Sequence, residues 1–269
     1  MSVYEIVFSP TGGTKRVSEI FTKAFCQDSV CIDLARRDMD GSEYSFQEED
    51  VCIVSVPSYG GRVPGAAVSR LRRMKGNQAG AILITVYGNR AYDDTFAELQ
   101  DVLEGSGFSC KAAVAAVAEH SIMRQFAKGR PDLKDKEEIL KFAAEIRSKM
   151  EAGALTGELR LPGNRPYREY GGVPMKPQSG RSCIKCGLCA KECPVGAIPY
   201  DRPNKTDTDT CISCMRCISV CPQKANRDWY GSRISSRCAC PASPFVPSFS
   251  GRQLRKSLFS MASYHSSFS

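Results

Sequence analysis

Short apolar runs and helically spaced apolar residues alternate along residues 1–152. The runs are typical of buried β-strands and cover residues 3–8, 30–34, 51–56, 81–86 and 112–117. Between them, apolar residues recur every three or four positions, as in amphipathic helices, at 17–25, 96–103 and 139–146. This alternation predicts an α/β fold, a doubly wound parallel sheet with helices on both faces. Five strands suit the order 2-1-3-4-5, in which strand three lies between strands one and four.

Three loops follow strands one, three and four and should meet at the carboxyl edge of that sheet. The first, SPTGGT from Ser9, is rich in hydroxyl groups and glycine and precedes a helical pattern. Such a helix N-terminus favours a phosphate, although neither G-x-x-x-x-G-K-[ST] nor G-x-G-x-x-G is present there. The other loops, PSYGGRVPG from Pro57 and YGNRAYDD from Tyr87, offer aromatic rings. Together the three loops predict a site for a phosphorylated flat molecule.

The 14 cysteines of this 269-residue chain are its most informative feature. Eight of them form two C-x2-C-x2-C-x3-C-P runs with identical spacing, namely Cys183, Cys186, Cys189 and Cys193, then Cys211, Cys214, Cys217 and Cys221. Three cysteines spaced in this way can wrap one cubic iron–sulfur cluster, and the distal cysteine of the other run can supply the fourth ligand. We therefore expect two [4Fe-4S] clusters, with Cys221 and Cys193 exchanged between the runs. Structural zinc fits less well, because zinc ribbons usually separate two C-x2-C pairs by a dozen or more residues.

The other cysteines and the prolines are expected to have structural roles. Pro194 and Pro222 should each end a cluster loop and open a short helix. Four cysteines of the first domain are expected to be buried small apolar residues, Cys26, Cys31, Cys52 and Cys110. Cys238 and Cys240 match neither run and are expected to be loose thiols.

Composition divides the chain into a first domain at 1–152, a linker at 153–180, a cysteine-rich domain at 181–231 and a Ser-rich, disordered tail at 232–269. The linker prolines suggest a semi-extended strap. The net charge of +8 is scattered, and the small group Arg70, Arg72, Arg73 and Lys75 is expected to be solvated, so no nucleic-acid binding is expected. No apolar run approaches the roughly 18 residues of a membrane span and no signal peptide is evident, which predicts a cytoplasmic protein without membrane contact.

The motifs of the first domain resemble flavodoxin, whose loop of the form [ST]-x-T-G-x-T is matched by Ser9, Thr11, Gly12 and Thr14. The resemblance implies FMN, with its phosphate held by Ser9, Thr11, Gly12, Gly13, Thr14 and Lys15. It implies that Tyr59 and Tyr92 flank the isoalloxazine ring. The remaining contacts would come from Pro57, Ser58, Gly60, Gly61, Arg62, Tyr87, Gly88, Asn89 and Arg90. Residues 181–230 resemble a bacterial two-cluster ferredoxin, a small α+β fold, and residues 1–230 resemble the EFR-type flavodoxin–ferredoxin fusion family.

This resemblance implies electron transfer between two [4Fe-4S] clusters and FMN, with an unknown redox partner protein. An FMN-dependent oxidoreductase that reduces a small organic acceptor and a redox-sensing interaction module are the alternatives. No Rossmann fingerprint is present, which disfavours direct oxidation of a nicotinamide cofactor. Only Asp93 and Asp94 offer carboxylates in the flavin loops, and they are expected to cap the helix that begins at Thr95. An electron carrier is therefore favoured over an enzyme with its own substrate.

Overall fold

A five-stranded parallel sheet forms the centre of the first domain in the computed structural model, which describes residues 1–227. Its strands are β1 (Val3–Val7), β2 (Val30–Asp33), β3 (Val51–Pro57), β4 (Gly80–Tyr87) and β5 (Ser109–Val117). They lie in the order β2-β1-β3-β4-β5, and all four neighbouring pairs are parallel. The predicted fold and strand order are confirmed. The tail, with Cys238 and Cys240, lies outside the described residues.

Two layers of helices cover the sheet because successive side chains of a strand point to opposite faces. The helices are α1 (Gly13–Phe25), α2 (Gly65–Leu71), α3 (Thr95–Gly105) and α4 (Leu133–Glu151). Ile53 of β3 packs in the core beneath α1 and α4, whereas Cys52 and Val54 pack in the core beneath α2 and α3. None of the helices within residues 1–227 has the length and apolar character to cross a membrane.

Cys31 was predicted to be buried, and its position at the edge of the sheet explains why that prediction is wrong. Cys52 and Cys110 are buried and Cys26 is partly buried, but Cys31 is exposed. Cys31 lies on β2, which pairs only with β1 at the edge of the sheet. An edge strand lacks a neighbour on one side, so an apolar run there does not guarantee burial.

The cysteine-rich domain repeats its backbone conformation as well as its sequence. It contains α5 (Leu188–Lys191), α6 (Arg216–Ser219) and an antiparallel pair of two-residue strands, β6 (Gln178–Ser179) and β7 (Asn226–Arg227). Lys185 and Ser213 occupy equivalent positions and both have a φ of 55°. Each short helix begins at the residue before the third cysteine of its run. The prediction that Pro194 and Pro222 open helices is therefore wrong, since a turn follows each proline.

The linker is a strap that lies along α3. Leu159 and Leu161 pack against the core beneath α2 and α3. The buried Asp94 carboxylate accepts hydrogen bonds from the backbone N–H of Asn164 at 2.8 Å and of Arg168 at 2.7 Å. Asp94 makes no side-chain cap to α3, so the expected capping role is corrected to anchorage of the strap. Asp93 forms ion pairs with Arg90 and Arg168 instead of a cap.

Three arginines join the two domains by donating to backbone carbonyls. Arg37 donates to Ala190 at 2.8 Å and Arg70 to Pro194 at 2.7 Å, on either side of Cys193. Arg216 of α6 donates in the other direction, to Pro10 in the first loop, at 3.1 Å. Burial in this seam lowers the pKa of Arg70. The prediction that Arg70 is solvated is therefore wrong, although the neighbouring Arg72, Arg73 and Lys75 are exposed.

We predict that Asp94→Asn loosens the strap, because an amide nitrogen cannot accept from a backbone N–H. The loss of charge-assisted bonds to a buried carboxylate should cost about 1–3 kcal/mol of unfolding free energy, measured by urea denaturation, and trypsin should cleave faster at Arg160 and Arg168. Asp38→Asn, which removes an exposed pair with Arg36, is the matched control. It should leave the unfolding free energy nearly unchanged, because solvent screens an exposed pair.

The same anchorage should depend on pH. The backbone N–H groups of Asn164 and Arg168 lower the pKa of Asp94. A carboxylate with a lowered native pKa stabilises the fold above its unfolded pKa of about 4, and this contribution is lost as the pH falls through the native value. The stability difference between wild type and Asp94→Asn should therefore shrink on acidification below about pH 4. An unchanged difference at low pH would contradict the role of the ionised carboxylate.

Candidate flavin crevice and cluster cavities

A crevice of about 730 Å³ opens at the carboxyl ends of β1, β3 and β4. Ten predicted site residues line it, namely Ser9, Thr11, Gly13, Thr14, Pro57, Ser58, Tyr59, Gly60, Tyr87 and Gly88. The sheet order brings these three loops together, as the sequence analysis expected. Seven others do not line it, namely Gly12, Lys15, Gly61, Arg62, Asn89, Arg90 and Tyr92.

The first loop has the geometry of an anion cradle. Gly12 adopts a φ of 88°, a left-handed conformation that glycine reaches without strain, and α1 starts at the next residue. The Ser9 hydroxyl accepts from the N–H of Lys15 at 2.9 Å, which closes the loop over the start of the helix. The remaining first-turn N–H groups of a helix have no intrahelical acceptor. A phosphate at this end of the crevice would satisfy them.

Two tyrosines give the crevice an aromatic wall. Tyr59 sits in a tight turn, where its N–H donates to Arg62 O at 2.9 Å. Gly60 and Gly61 both have positive φ in this turn, and a Cβ on Gly60 would lie 2.3 Å from the Tyr170 ring. Burial raises the pKa of Tyr59 well above its usual value, and the neighbouring Cys214 and Tyr170 raise it further. Tyr59 therefore stays neutral, with its ring between the crevice and the cysteine-rich domain.

The predicted residues outside the crevice have other partners. Arg62 forms a two-pronged ion pair with the Glu98 carboxylate at 2.7 and 2.8 Å and lies 4.8 Å from the centre of the Tyr167 ring. Arg90 pairs with Asp93 on the surface. Tyr92 contacts Tyr87 and Phe96 edge-to-face at 5.3 and 5.1 Å and belongs to the core beneath α3. These side chains stabilise the walls of the crevice from behind.

The crevice also includes residues that the sequence analysis did not single out as site residues. They are Pro10, Val86, Ala118, Glu119, His120, Ser121, Ile122, Tyr170, Val173, Ile212 and Ser213. The segment 118–122 follows β5, the strand next to β4. The predicted strand order could therefore have placed this segment at the same carboxyl edge as the three loops. His120 accepts at Nδ1 from the N–H groups of Ile122 and Met123, both at 3.1 Å, which places the proton of the neutral ring on Nε2. Burial lowers the pKa of His120 and keeps it neutral.

The cysteines surround two cavities, each drawing on both runs. One, of about 330 Å³, is lined by Cys183, Cys186, Cys189 and Cys221. The other, of about 310 Å³, is lined by Cys211, Cys214, Cys217 and Cys193. Within residues 1–227, no group of three or more His, Cys, Asp or Glu side chains has the arrangement of a site for a single metal ion. The four cysteines instead encircle a space of molecular size, which fits a multi-atom cluster.

Burial favours the protonated form of two thiols in the second cavity. Burial raises the pKa of Cys214 to about 12 and raises that of Cys217 as well. Such thiols ionise only when a metal compensates the thiolate charge. Backbone N–H groups donate to sulfur at Cys211, from Ser213 at 3.4 Å, and at Cys221, from Ala225 at 3.2 Å. Hydrogen bonds of this kind are among the features that set the potential of iron–sulfur clusters.

The second cysteine cavity adjoins the crevice, and the first does not. Ile212, between Cys211 and Cys214, lines both the crevice and the cavity of Cys193, Cys211, Cys214 and Cys217. Its neighbour Ser213 also lines the crevice, and its hydroxyl donates to Val173 O of the strap at 3.4 Å. The cavity of Cys183, Cys186, Cys189 and Cys221 shares no lining residue with the crevice. We call the two the proximal and the distal cluster cavity.

Comparison with known families accounts for the cysteine-rich part. Residues 182–225 match the family described as a 4Fe-4S dicluster domain. A putative electron transport protein, YccM of Escherichia coli, is 44% identical over 45 residues, which are 17% of this chain and 12% of that protein. A component of an ion-translocating oxidoreductase complex of Methanosarcina acetivorans is 46% identical over 44 residues, which are 16% of this chain and 17% of that protein. The chain thus spans less than a fifth of these relatives.

Solved structures resemble the first domain. A flavodoxin of Streptococcus pneumoniae is 20% identical, with a TM-score of 0.41, and covers 55% of this chain and 99% of its own. Flavodoxin 2 of Bacillus cereus is 13% identical, with a TM-score of 0.41 and the same two coverages. The strand order found here is itself that of flavodoxin-like sheets. The chain thus joins an α/β domain with the flavodoxin-like strand order to a segment that matches a 4Fe-4S dicluster domain.

We predict that Gly60→Ala weakens flavin binding. The new Cβ would collide with the Tyr170 ring, and the φ of 60° is unfavourable for a side chain, so the aromatic wall must move. The dissociation constant of FMN, measured by fluorescence quenching on flavin-free protein, should rise at least about tenfold. Gly65→Ala is the control, since its Cβ would meet nothing within 4 Å. Equal affinities in the two variants would show that Tyr170 does not form part of the flavin site.

Proposed function

We propose that this protein transfers electrons between two [4Fe-4S] clusters and FMN. The observation that carries the proposal is the position of Ile212, which separates the proximal cluster cavity from the crevice. A cofactor in the crevice and a cluster in this cavity would lie on two sides of one residue. That closeness favours direct electron exchange inside the chain, which two separate carriers achieve only after a diffusional encounter.

The crevice suits FMN in particular. Bound FMN supplies redox chemistry in which one or two electrons are exchanged. The chain supplies a phosphate cradle at Ser9–Lys15 and, at the other end, the rings of Tyr59 and Tyr170 against which a flat ring system can pack. Neutral Tyr59 and neutral His120 leave the crevice without a buried charge from either side chain.

The two cysteine cavities suit two clusters that exchange ligands between the runs. The distal cluster would be held by Cys183, Cys186, Cys189 and Cys221, and the proximal cluster by Cys211, Cys214, Cys217 and Cys193. Arg37 and Arg70 bind the carbonyls on either side of Cys193. They thereby fix this ligand relative to the first domain. A redox partner protein outside the chain, a cytoplasmic location and the domain limits at 152 and 181 remain part of the proposal.

One observation favours the oxidoreductase alternative. A second cavity of about 730 Å³ adjoins the crevice at Thr11, Gly13 and His120, and extends to Ile218 of α6. A small organic acceptor could enter there beside the flavin site, with the Nε2 proton of His120 available. Turnover of an added acceptor that falls when His120 is replaced by Gln, with flavin binding unchanged, would favour this function over a carrier.

The carrier proposal is tested by anaerobic purification followed by iron, acid-labile sulfide and flavin analysis. Iron and sulfide should account for two four-iron clusters, and the released flavin should be FMN. The flavin-free protein should bind FMN at least about tenfold more tightly than riboflavin, because the cradle acts on the phosphate. Zinc in place of iron would contradict the cluster assignment. Equal affinity for the two flavins would contradict the cradle.

A further inference from the structure

The distal cluster cavity opens onto a surface with unusual charge. The surface, which we call the basic face, consists of Arg181, Ile184, Lys185, Cys186, Lys224 and Arg227, all exposed. Ile184, which is 62% exposed, adds a large apolar side chain to this face. Cys186 is one of the four cysteines that line the distal cavity. An electron could therefore leave the distal cluster through this face without crossing the protein.

Within the described residues 178–187 and 221–227, which form the basic face, every charged side chain is a cation. Among the described residues, none of its four cations forms an ion pair. By contrast, Arg216, beside the proximal cavity, is paired with Glu192. The four cations of the basic face thus differ from Arg216, whose charge a carboxylate compensates.

The fold places two of these cations close together. β6 and β7 are antiparallel, with Ser179 opposite Asn226, and Gly180 donates to Ala225 O at 2.8 Å. Continuing this register places Arg181 beside Lys224. Like charges in opposing positions are destabilising. Water and salt screen these exposed cations in the free protein, and carboxylates of a bound partner would complement them directly.

We propose, in an inference that rests on the proposed function, that the basic face is where the distal cluster exchanges electrons with an acidic electron-carrier protein. Carboxylates of the partner would oppose the four cations, and its apolar contact would be Ile184. Complementary charge of this kind accelerates encounter and sets orientation more than it adds affinity. In each exchange the reduced cluster loses one electron and the redox centre of the partner gains it. Electrons leaving the protein would then pass from the flavin crevice to the proximal cluster, the distal cluster and the basic face.

The test uses one protein probe in two charge forms, ferric cytochrome c, which is basic, and its succinylated form, which is acidic. The full-length protein, loaded with clusters and flavin, is reduced anaerobically and mixed with each form. Ferric haem accepts the electron, and its reduction is followed by absorbance in a stopped-flow instrument. At low salt the acidic form should react at least about tenfold faster than the basic form. The advantage should disappear near 1 M salt, where charges are screened beyond about 3 Å.

Charge reversal locates the effect on the protein. Lys185→Glu combined with Lys224→Glu should slow the acidic form at least about tenfold at low salt and leave the rate at high salt unchanged. The double variant Lys185→Gln with Lys224→Gln removes the charges without reversing them and should reduce the rate with the acidic form by a smaller factor. It provides a second test if the charge-reversed variant fails to fold. The matched control is Lys136→Glu with Lys141→Glu, exposed residues of α4, with the same change in net charge. The control should leave the rate within about twofold.

Four outcomes of the kinetic measurements would overturn the proposal. The first two are equal rates for the two probe forms and a faster reaction with the basic form. The third is an equal loss of rate in the face variant and the control variant. The fourth is a loss of rate that persists at high salt, which would indicate a changed cluster potential. A dimer that dissociates on charge reversal would assign the face to a second copy of the chain and would also overturn it. Absence of iron and sulfide from the purified protein would instead contradict the proposed function itself.

Discussion

Hydrogen bonds from arginine side chains to carbonyls across the domain seam are the interaction on which the whole arrangement depends. Arg216 reaches back to Pro10 in the phosphate loop, while Arg37 and Arg70 reach forward to the carbonyls beside Cys193. A hydrogen bond from a charged donor contributes about 1.5–3 kcal/mol, because the donor retains its charge in a less polar setting. These bonds attach the loop of Cys193 and the helix of Cys217 to the sheet. They therefore hold the proximal cavity next to the crevice, where both are lined by Ile212.

The strap reinforces the same arrangement from the opposite side. Asp94 and Asp101 of the α3 region hold residues 164–168, and Tyr170 then reaches the aromatic wall. A linker bound along its length restricts the separation of the domains, unlike a flexible chain that sets only an effective concentration. The connection therefore contributes residues to the site as well as joining its halves. Cutting such a strap need not separate the domains, because the arginine contacts do not pass through it.

Local patterns predicted the strands and the cluster cysteines. Each strand carries its own apolar run, and the fixed spacing from Cys183 to Cys221 is visible without any knowledge of the fold. The strand order alone was enough to predict that the loops of Ser9, Tyr59 and Tyr87 lie together, because they follow neighbouring strands. Helix α2 gave no clear period because it is short and rich in small residues. Its buried side chains are those of Ala67, Val68 and Leu71.

Contacts between distant segments could not be predicted in this way. Arg62 looked like a flavin ligand, but the Glu98 carboxylate, 36 residues away, holds it behind the wall. Tyr170 reaches the crevice through the bound strap and Ile212 through docking of the second domain, and the spacing of apolar residues predicts neither contact. Asp94 was predicted to cap α3, but its carboxylate accepts hydrogen bonds from backbone N–H groups of the strap instead. The role of such a polar residue depends on a partner that is distant in sequence. The role of a core residue can be predicted from the spacing of apolar residues around it.

The most direct measurement of the central claim is the kinetics of electron transfer within the loaded protein. A flash-generated donor reduces the clusters, and flavin absorbance is then followed at several protein concentrations. The shared wall at Ile212 predicts a first-order transfer whose rate does not change with protein concentration. A rate proportional to concentration, or clusters that are reduced and reoxidised with no flavin signal, would contradict an internal path from cluster to flavin.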